Sequence, residues 1–174
     1  DPADIAPVPW RAELGDHGVP RKDASTLMSS NDALAEWLEQ TKRYGLSIVT
    51  GLADDPAAGE TVARRIGHLR ETNFGVTFEV MSKPDPINLA YTSDALPLHT
   101  DLTNQDAPPG YQFLHCIANE AQGGGSTFCD GAAVAEDLRT ADPEAFEILS
   151  TVSVPFRFHD NETDIRSRKR VIEL

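Results

Sequence analysis

The chain has 174 residues, of which 40% are hydrophobic and 25% are charged, a composition typical of a globular domain. Its net charge of −13 argues against binding to nucleic-acid phosphates or anionic lipid surfaces. The sequence contains no run of about 18 apolar residues that could span a membrane. Its two cysteines lack zinc-site spacing and predict a reducing, cytoplasmic location.

The first predicted element is a helix that begins at Asn31. Residues 1–30 read as an irregular lead-in, because four prolines interrupt any regular pattern. From Asn31 onward, apolar or half-polar positions recur at helical spacing, with Ser30 or Asn31 available as the N-cap and Gly45 as the stop. These positions are Leu34, Trp37, Leu38 and Thr41. Residues 31–174 are expected to belong to one domain.

A strand and a second helix follow. The β-branched apolar run Leu46–Leu52 predicts a buried strand, and Pro56–His68 predicts a helix. Residues 74–130 then contain short runs of Phe, Val, Tyr and Thr between prolines and glycines, which is typical of an antiparallel sandwich or barrel. Within that region, Tyr111–Ile117 is the strongest candidate for a core strand.

The last third predicts two short helices and a strand. The helices are Gly131–Arg139 and Pro143–Leu149, and the strand is Thr151–His159. The final residues, RKRVIEL, have the character of a strand interior. A sheet cut there would expose an unpaired edge, so we expect the natural protein to continue beyond Leu174.

His99 and Asp101 are the residues with the clearest chemical meaning. They flank Thr100 in LPLHTDL, and on an extended strand both side chains would point to the same face. An imidazole and a carboxylate together are two thirds of the 2-His-1-carboxylate triad that holds Fe(II). Alone the pattern is weak, and an incidental histidine on a surface loop is the competing interpretation.

A glycine-rich turn, GGGSTFCDG, follows about 25 residues later and leads into Ser126 and Thr127. A small hydroxyl beside a flexible turn can donate a hydrogen bond to a carboxylate without steric cost. The local alternative is a plain hairpin turn.

Four blocks in register resemble the gamma-butyrobetaine hydroxylase and trimethyllysine hydroxylase family, and more broadly the taurine dioxygenase-like oxygenases. The resemblance runs from about Trp10 to Leu174. Its blocks are AYTSDALPLHTD, APPGYQFLHCI, GGGSTFCDG and DPEAFEILSTVSV.

The resemblance implies an α+β fold: a double-stranded β-helix (jelly-roll) core with flanking N-terminal helices, incomplete at its C-terminus. It implies Fe(II), the cosubstrate 2-oxoglutarate, O₂ and hydroxylation of a C–H bond. By position, His99 and Asp101 are metal ligands, Ser126 contacts the 2-oxoglutarate carboxylate, and Leu114 lies beside the cosubstrate. The family's second iron-binding His and its 2-oxoglutarate-binding Arg fall beyond Leu174, so we expect this piece alone to be inactive.

The resemblance also implies an aromatic cage for a trimethylammonium group. The matching positions are Phe74, Phe78 and Tyr91, with Asn88 nearby. Carnitine-pathway members of the family have Tyr and Trp at the first two positions. Phe74 and Phe78 depart from that pattern, so the cage alone does not identify the specific substrate. The competing interpretation of Phe74 and Phe78 is that they pack in the core.

The predicted partner is therefore a small molecule, neither nucleic acid nor membrane, and a homodimer is left open. The favoured substrate is a trimethylammonium compound similar to gamma-butyrobetaine. One alternative is a taurine dioxygenase-like enzyme that acts on a non-cationic small acid. Another is a jelly-roll binding module without catalytic activity.

Overall fold

The structure is a computed structural model that describes residues 5–81, 95–119, 122 and 125–174. These residues fall into two compact units, each built from two separate stretches of chain. The first unit lies within Asp1–His68 and Phe113–Pro143, and the second within Leu69–Gln112 and Glu144–Leu174.

The first unit is mainly helical. Its two strands pair in parallel, with Arg21 opposite Ile48 and Asp23 opposite Thr50. Its elements in chain order are α1 (Glu13–His17), β1 (Arg21–Asp23), α2 (Ala24–Ser29), α3 (Asn31–Tyr44), β2 (Ile48–Thr50), α4 (Pro56–Ile66) and α5 (Gly131–Ala141). The prediction of an irregular lead-in was therefore wrong for residues 13–29, where two short helices and a strand form.

Local capping explains why the predicted helices form. The Ser30 hydroxyl accepts a hydrogen bond from the Ala33 N–H at 3.2 Å and starts α3. Gly45 ends it with a φ of 67°, a left-handed conformation that glycine adopts without a Cβ penalty. Asp55 and Asp130 cap α4 and α5 in the same way as Ser30. The helix predicted from Asn31 is thus confirmed, and so are those predicted at Pro56–His68 and Gly131–Arg139, although α4 ends two residues earlier and α5 two residues later than predicted.

The hydrophobic core of this unit lies where α2, α3 and α4 meet. Leu27 of α2 is fully buried, Trp37 of α3 is 5% exposed and Val62 of α4 is 3% exposed. The Trp37 ring also lies 6.5 Å from the ring of Phe113. Burial of these large apolar side chains is the main stabilising contribution to the unit.

The second unit contains α6 (Pro143–Thr151, most of which lies in this unit), β3 (Val154–His159) and β4 (Asp164–Lys169). The two strands form an antiparallel hairpin in which Phe156 faces Ser167 and Phe158 faces Ile165. Burial alternates along both strands, so one face of the hairpin is directed inward. The predicted helix from Pro143 and the strand that ends at His159 are confirmed.

One strand prediction was wrong and a second was correct only in part. Tyr111–Ile117 forms neither helix nor strand, and its Tyr111 and Leu114 side chains are exposed. The RKRVIEL segment is a strand only in its first two residues, Arg168 and Lys169, because β4 ends there. The N–H groups of Val171 and Ile172 instead donate to the carbonyl of Leu149 at the end of α6. In 111–117 and 170–174 the described residues have no strand pairing.

The described residues thus contain both helices and strands, as expected for an α+β protein. Their four strands lie in two separate two-stranded sheets, fewer than a jelly roll requires. Among these residues, no helix has the length and apolar character needed to cross a bilayer.

Candidate metal centre

His99 and Asp101 lie on a loop in the second unit that turns immediately after the aspartate. Residues 95–100 are irregular and residues 101–104 form a turn. The turn is closed by the Gln105 N–H, which donates to the carbonyl of Leu102 at 3.0 Å, and Leu102 has a left-handed φ of 55°. The expectation that the pair stands on an extended strand was therefore wrong, because a tight turn takes the place of strand pairing.

The turn nevertheless brings the two side chains together. The Nε2 atom of His99 lies 3.1 Å from Oδ1 of Asp101. The other ring nitrogen, Nδ1, lies 2.7 Å from the carbonyl oxygen of Pro97, which can only accept a hydrogen bond. This contact is a hydrogen bond in the tautomer that carries its proton on Nδ1, and in that neutral tautomer the lone pair of Nε2 is on the side of the carboxylate.

This arrangement fits a metal ion. A carboxylate oxygen and an imidazole lone pair at this distance repel each other unless a proton or a metal cation is shared between them. Two donors on adjacent corners of an octahedron with bonds of about 2.1 Å lie about 3.0 Å apart, close to the observed 3.1 Å. A metal-bound histidine also usually donates a hydrogen bond from its other ring nitrogen to a carbonyl or carboxylate, as Nδ1 does here to Pro97.

The pair is accessible and incomplete as a metal site. About half of each side chain is exposed, 49% for His99 and 45% for Asp101. Within the described ranges, no group of three or more His, Cys, Asp or Glu side chains is arranged to hold a metal. His99 and Asp101 would therefore supply two donors of a larger ligand set.

Phe74 and Phe78 lie close together in the same unit. Phe74 is presented by a tight turn in which Thr72 and Gly75 exchange backbone hydrogen bonds of 3.0 and 2.9 Å. Its ring centroid is 5.9 Å from that of Phe78 and 5.3 Å from that of Phe158, the latter at an edge-to-face angle of 71°. Sequence reasoning missed Phe158, although the alternation of Val154, Phe156 and Phe158 on one face of β3 could have indicated it.

The remaining predicted residues are distributed as follows. Ser126 and Leu114 belong to the first unit and both are exposed, Leu114 by 69%. Their expected closeness to the iron site stays a prediction. Asn88 and Tyr91 lie outside the described residues.

Clear pKa shifts occur at surface ion pairs and caps. Hydrogen bonds from Arg166 and then Arg157 hold the pKa of Asp164 well below its usual range. A hydrogen bond from Arg139 likewise lowers the pKa of Glu136. These groups lie on the exposed sides of β3–β4 and α5, where they contribute to surface structure.

A family model described as "Taurine catabolism dioxygenase TauD, TfdA family" matches residues 5–174. The chain belongs to the TauD/TfdA family. The resemblance expected from the four sequence blocks is therefore confirmed, and it includes the segment that carries His99 and Asp101. Two kinds of curated dioxygenase are similar to this TauD/TfdA chain.

Gamma-butyrobetaine dioxygenase of Pseudomonas sp. (strain AK-1) is 45% identical over 156 residues, which are 90% of this chain and 41% of that protein. Gamma-butyrobetaine dioxygenase of Homo sapiens is 35% identical over 170 residues, 95% of this chain and 43% of the relative. Mitochondrial trimethyllysine dioxygenase of Homo sapiens is 33% identical over 150 residues, 86% of this chain and 36% of the relative. The TauD/TfdA chain thus spans less than half the length of these relatives.

Proposed function

We propose that the protein is an Fe(II)- and 2-oxoglutarate-dependent dioxygenase that hydroxylates a C–H bond of a small trimethylammonium substrate similar to gamma-butyrobetaine. The observation that carries this proposal is the approach of His99 Nε2 to Asp101 Oδ1 at 3.1 Å, with Nδ1 held by Pro97. Membership of the TauD/TfdA family and the names of the similar dioxygenases support it. Residues 31–174 would be the N-terminal and central part of one jelly-roll catalytic domain.

In this proposal His99 and Asp101 would hold Fe(II), and the Pro97 carbonyl fixes the orientation of the imidazole. Bound Fe(II), together with 2-oxoglutarate and O₂, supplies the oxidising power for the hydroxylation, and 2-oxoglutarate leaves as succinate and CO₂. The Ser126 hydroxyl donates a hydrogen bond to the far carboxylate of 2-oxoglutarate, and the backbone of Leu114 lies beside the cosubstrate.

Phe74 and Phe78 are proposed to contact the trimethylammonium group, together with Asn88 and Tyr91. A quaternary ammonium is attracted to the faces of aromatic rings, with about 2 kcal/mol gained in a desolvated site. Phe158 packs edge-on against Phe74 and would keep its ring in place. The net charge of −13 would also favour the approach of a cation.

The partner is accordingly a small molecule, and we assign the protein to the cytoplasm. The free cysteines Cys116 and Cys129 are both exposed and support a reducing compartment.

The test is succinate release by the full-length protein across a panel of betaines, methylated lysines and sulfonates. We expect turnover with the trimethylammonium compounds. Turnover with the sulfonates alone would contradict the proposed substrate, and binding of betaines without any succinate release would contradict the proposed reaction.

A second experiment isolates the charge of the substrate. Phe78→Leu keeps apolar area but removes the π face, so it should weaken binding of gamma-butyrobetaine by about 10-fold while sparing its neutral tert-butyl isostere. Phe146→Leu, on helix α6 of the same unit, is the matched control and should affect neither ligand selectively. Equal losses for the two ligands in Phe78→Leu would mean that this ring is only a hydrophobic wall.

A further inference from the structure

The turn that follows Asp101 is tied through its backbone carbonyls to strand β4. The Ser167 hydroxyl donates to the carbonyl of Thr103 at 2.9 Å. The Lys169 ammonium donates to the carbonyl of Asp106 at 3.2 Å and also to the carbonyl of Gln105. Two side chains of one strand therefore hold one carbonyl of the turn that begins at the candidate metal ligand and two carbonyls of the bend that follows it.

These two side chains are on the inward face of the hairpin. Ser167 is 6% exposed and Lys169 is partly buried, and both point to the same side because they are two residues apart on a strand. Arg166 and Arg168 point to the other side, where Arg166 pairs with Asp164 and Arg168 donates to the carbonyl of Ser153. A lysine is rarely drawn inward without partners, and here the turn carbonyls are among its partners.

The turn has reason to need such support. Leu102 has a left-handed φ of 55°, a conformation that is costly for a residue with a branched side chain and that persists only where surrounding contacts hold it. Carbonyls in an irregular turn have no strand or helix partner and must find donors elsewhere. Ser167 and Lys169 provide donors of this kind two to five residues after Asp101, whose carboxylate faces His99.

The side chain of Gln105 extends the same network toward the aromatic residues. It is 9% exposed, accepts a hydrogen bond from Arg70 at 3.3 Å and donates to the Asn73 side chain at 3.4 Å. Asn73 lies in the turn that presents Phe74, and Phe158 of the same hairpin packs on Phe74. One hairpin face thus supports both the turn beside Asp101 and the turn that carries Phe74.

We propose that Ser167 and Lys169 are positioning residues that keep the carboxylate of Asp101 opposite Nε2 of His99. This inference rests on the proposed metal site and adds two residues that act on it only through the backbone of the turn. If the hairpin were merely packed against the turn, loss of one of these hydrogen bonds would lower stability without changing the affinity or the geometry of the metal site.

The experiment measures Co(II) binding by the full-length protein, through calorimetric titration and the visible absorption of the bound ion. Ser167→Ala and Lys169→Met should each raise the Kd for Co(II) by about 10-fold, the lower end of the effect of losing a direct partner of a metal ligand, because they act on Asp101 through the backbone. Their Co(II) absorption bands should also shift, because the two donors would no longer be held in one geometry. Ser167→Thr retains the hydroxyl and should restore both affinity and spectrum.

Arg168→Met is the matched control, since it removes a neighbouring cationic side chain from the same strand but on the opposite face. It should bind Co(II) as the wild-type protein does. Thermal unfolding of every variant establishes that it is folded, and if Ser167→Ala does not fold, Lys169→Met decides the question.

The outcomes separate the two proposals. The positioning role is overturned if Ser167→Ala, Lys169→Met and Arg168→Met all bind Co(II) with the affinity and absorption spectrum of the wild-type protein. The proposed function is unaffected by that result. A wild-type protein that binds no Co(II) overturns the metal site itself, and the positioning role with it.

Discussion

The Nε2 atom of His99 faces Oδ1 of Asp101 across 3.1 Å, while Nδ1 of the same ring is engaged by the carbonyl of Pro97. Nε2 and Oδ1 therefore both direct lone pairs at the space between them, and a cation bound there would remove their mutual repulsion. Because an imidazole nitrogen and a carboxylate oxygen are both ligands for Fe(II), Mn(II) and Co(II), the pair should dominate metal binding by the protein.

We predict that His99→Ala and Asp101→Asn each weaken Co(II) binding by the full-length protein at least about 100-fold, more than is lost with an outer-shell partner. Calorimetric titration measures the change. His159→Ala is the control, since this histidine is exposed at the end of β3 in the same unit. Loss of affinity in His159→Ala comparable to that in His99→Ala would show that the protein holds its metal elsewhere.

A second prediction concerns the cosubstrate. Ser126→Ala in the full-length protein should raise the KM for 2-oxoglutarate, because a hydrogen bond to a charged carboxylate contributes about 1–3 kcal/mol. Steady-state succinate release at varied 2-oxoglutarate measures the constant, with the substrate saturating.

Thr127→Val is the control for Ser126→Ala, since it removes the adjacent hydroxyl with little change of shape. An unchanged KM in Ser126→Ala together with a raised KM in Thr127→Val would transfer the role to Thr127. No change in either variant would assign the carboxylate contact to backbone groups.

The helices were predictable because their determinants are local. Ser30 as a side-chain cap, Gly45 in the left-handed region and Pro143 at a helix start are each recognised from one residue and its neighbours. The short strand Arg21–Asp23 was not predictable in this way. This strand forms because it pairs with Ile48–Thr50, more than 20 residues away. The three polar side chains of Arg21–Asp23 carry no sequence pattern that would indicate such a pairing.

The closeness of the His99 and Asp101 side chains was predicted from the sequence and is confirmed, but the shape of their loop was not predicted. Two-residue spacing is compatible with a strand, yet Leu102 turns the chain and no described strand contains His99. Ser167 and Lys169 could not be predicted at all, because hydrogen bonds to backbone carbonyls place no demand on the residue types of the turn. Such contacts become visible only when the chain is folded.

A third prediction tests the core of the first unit. Leu27→Ala should lower the free energy of unfolding by about 2–5 kcal/mol, since it removes a fully buried side chain between α2, α3 and α4. The neighbouring Met28 is 41% exposed, so Met28→Ala should change the free energy of unfolding by no more than about 0.5 kcal/mol. Urea unfolding followed by circular dichroism measures both, and equal losses would contradict the assignment of Leu27 to the core.

The last prediction concerns Gly59 in helix α4, where the segment that follows Phe113 crosses the helix closely. A Cβ atom at this position would lie 3.0 Å from Nδ1 and 3.2 Å from both Cβ and Cγ of His115. Alanine is favoured over glycine in a helix interior by about 1 kcal/mol, but contacts this tight so near the His115 backbone cannot be relieved by a simple rotation. We therefore expect Gly59→Ala to lower the free energy of unfolding.

Gly15 in helix α1 supplies the matched control, because a Cβ there meets nothing within 4 Å, and Gly15→Ala should be neutral or stabilising. His115→Ala removes two of the three close contacts at Gly59, so in that background Gly59→Ala should cost less by at least about 0.5 kcal/mol. Urea unfolding of the two single variants and the double variant measures this coupling. Strict additivity would mean that the His115 ring does not pack on α4.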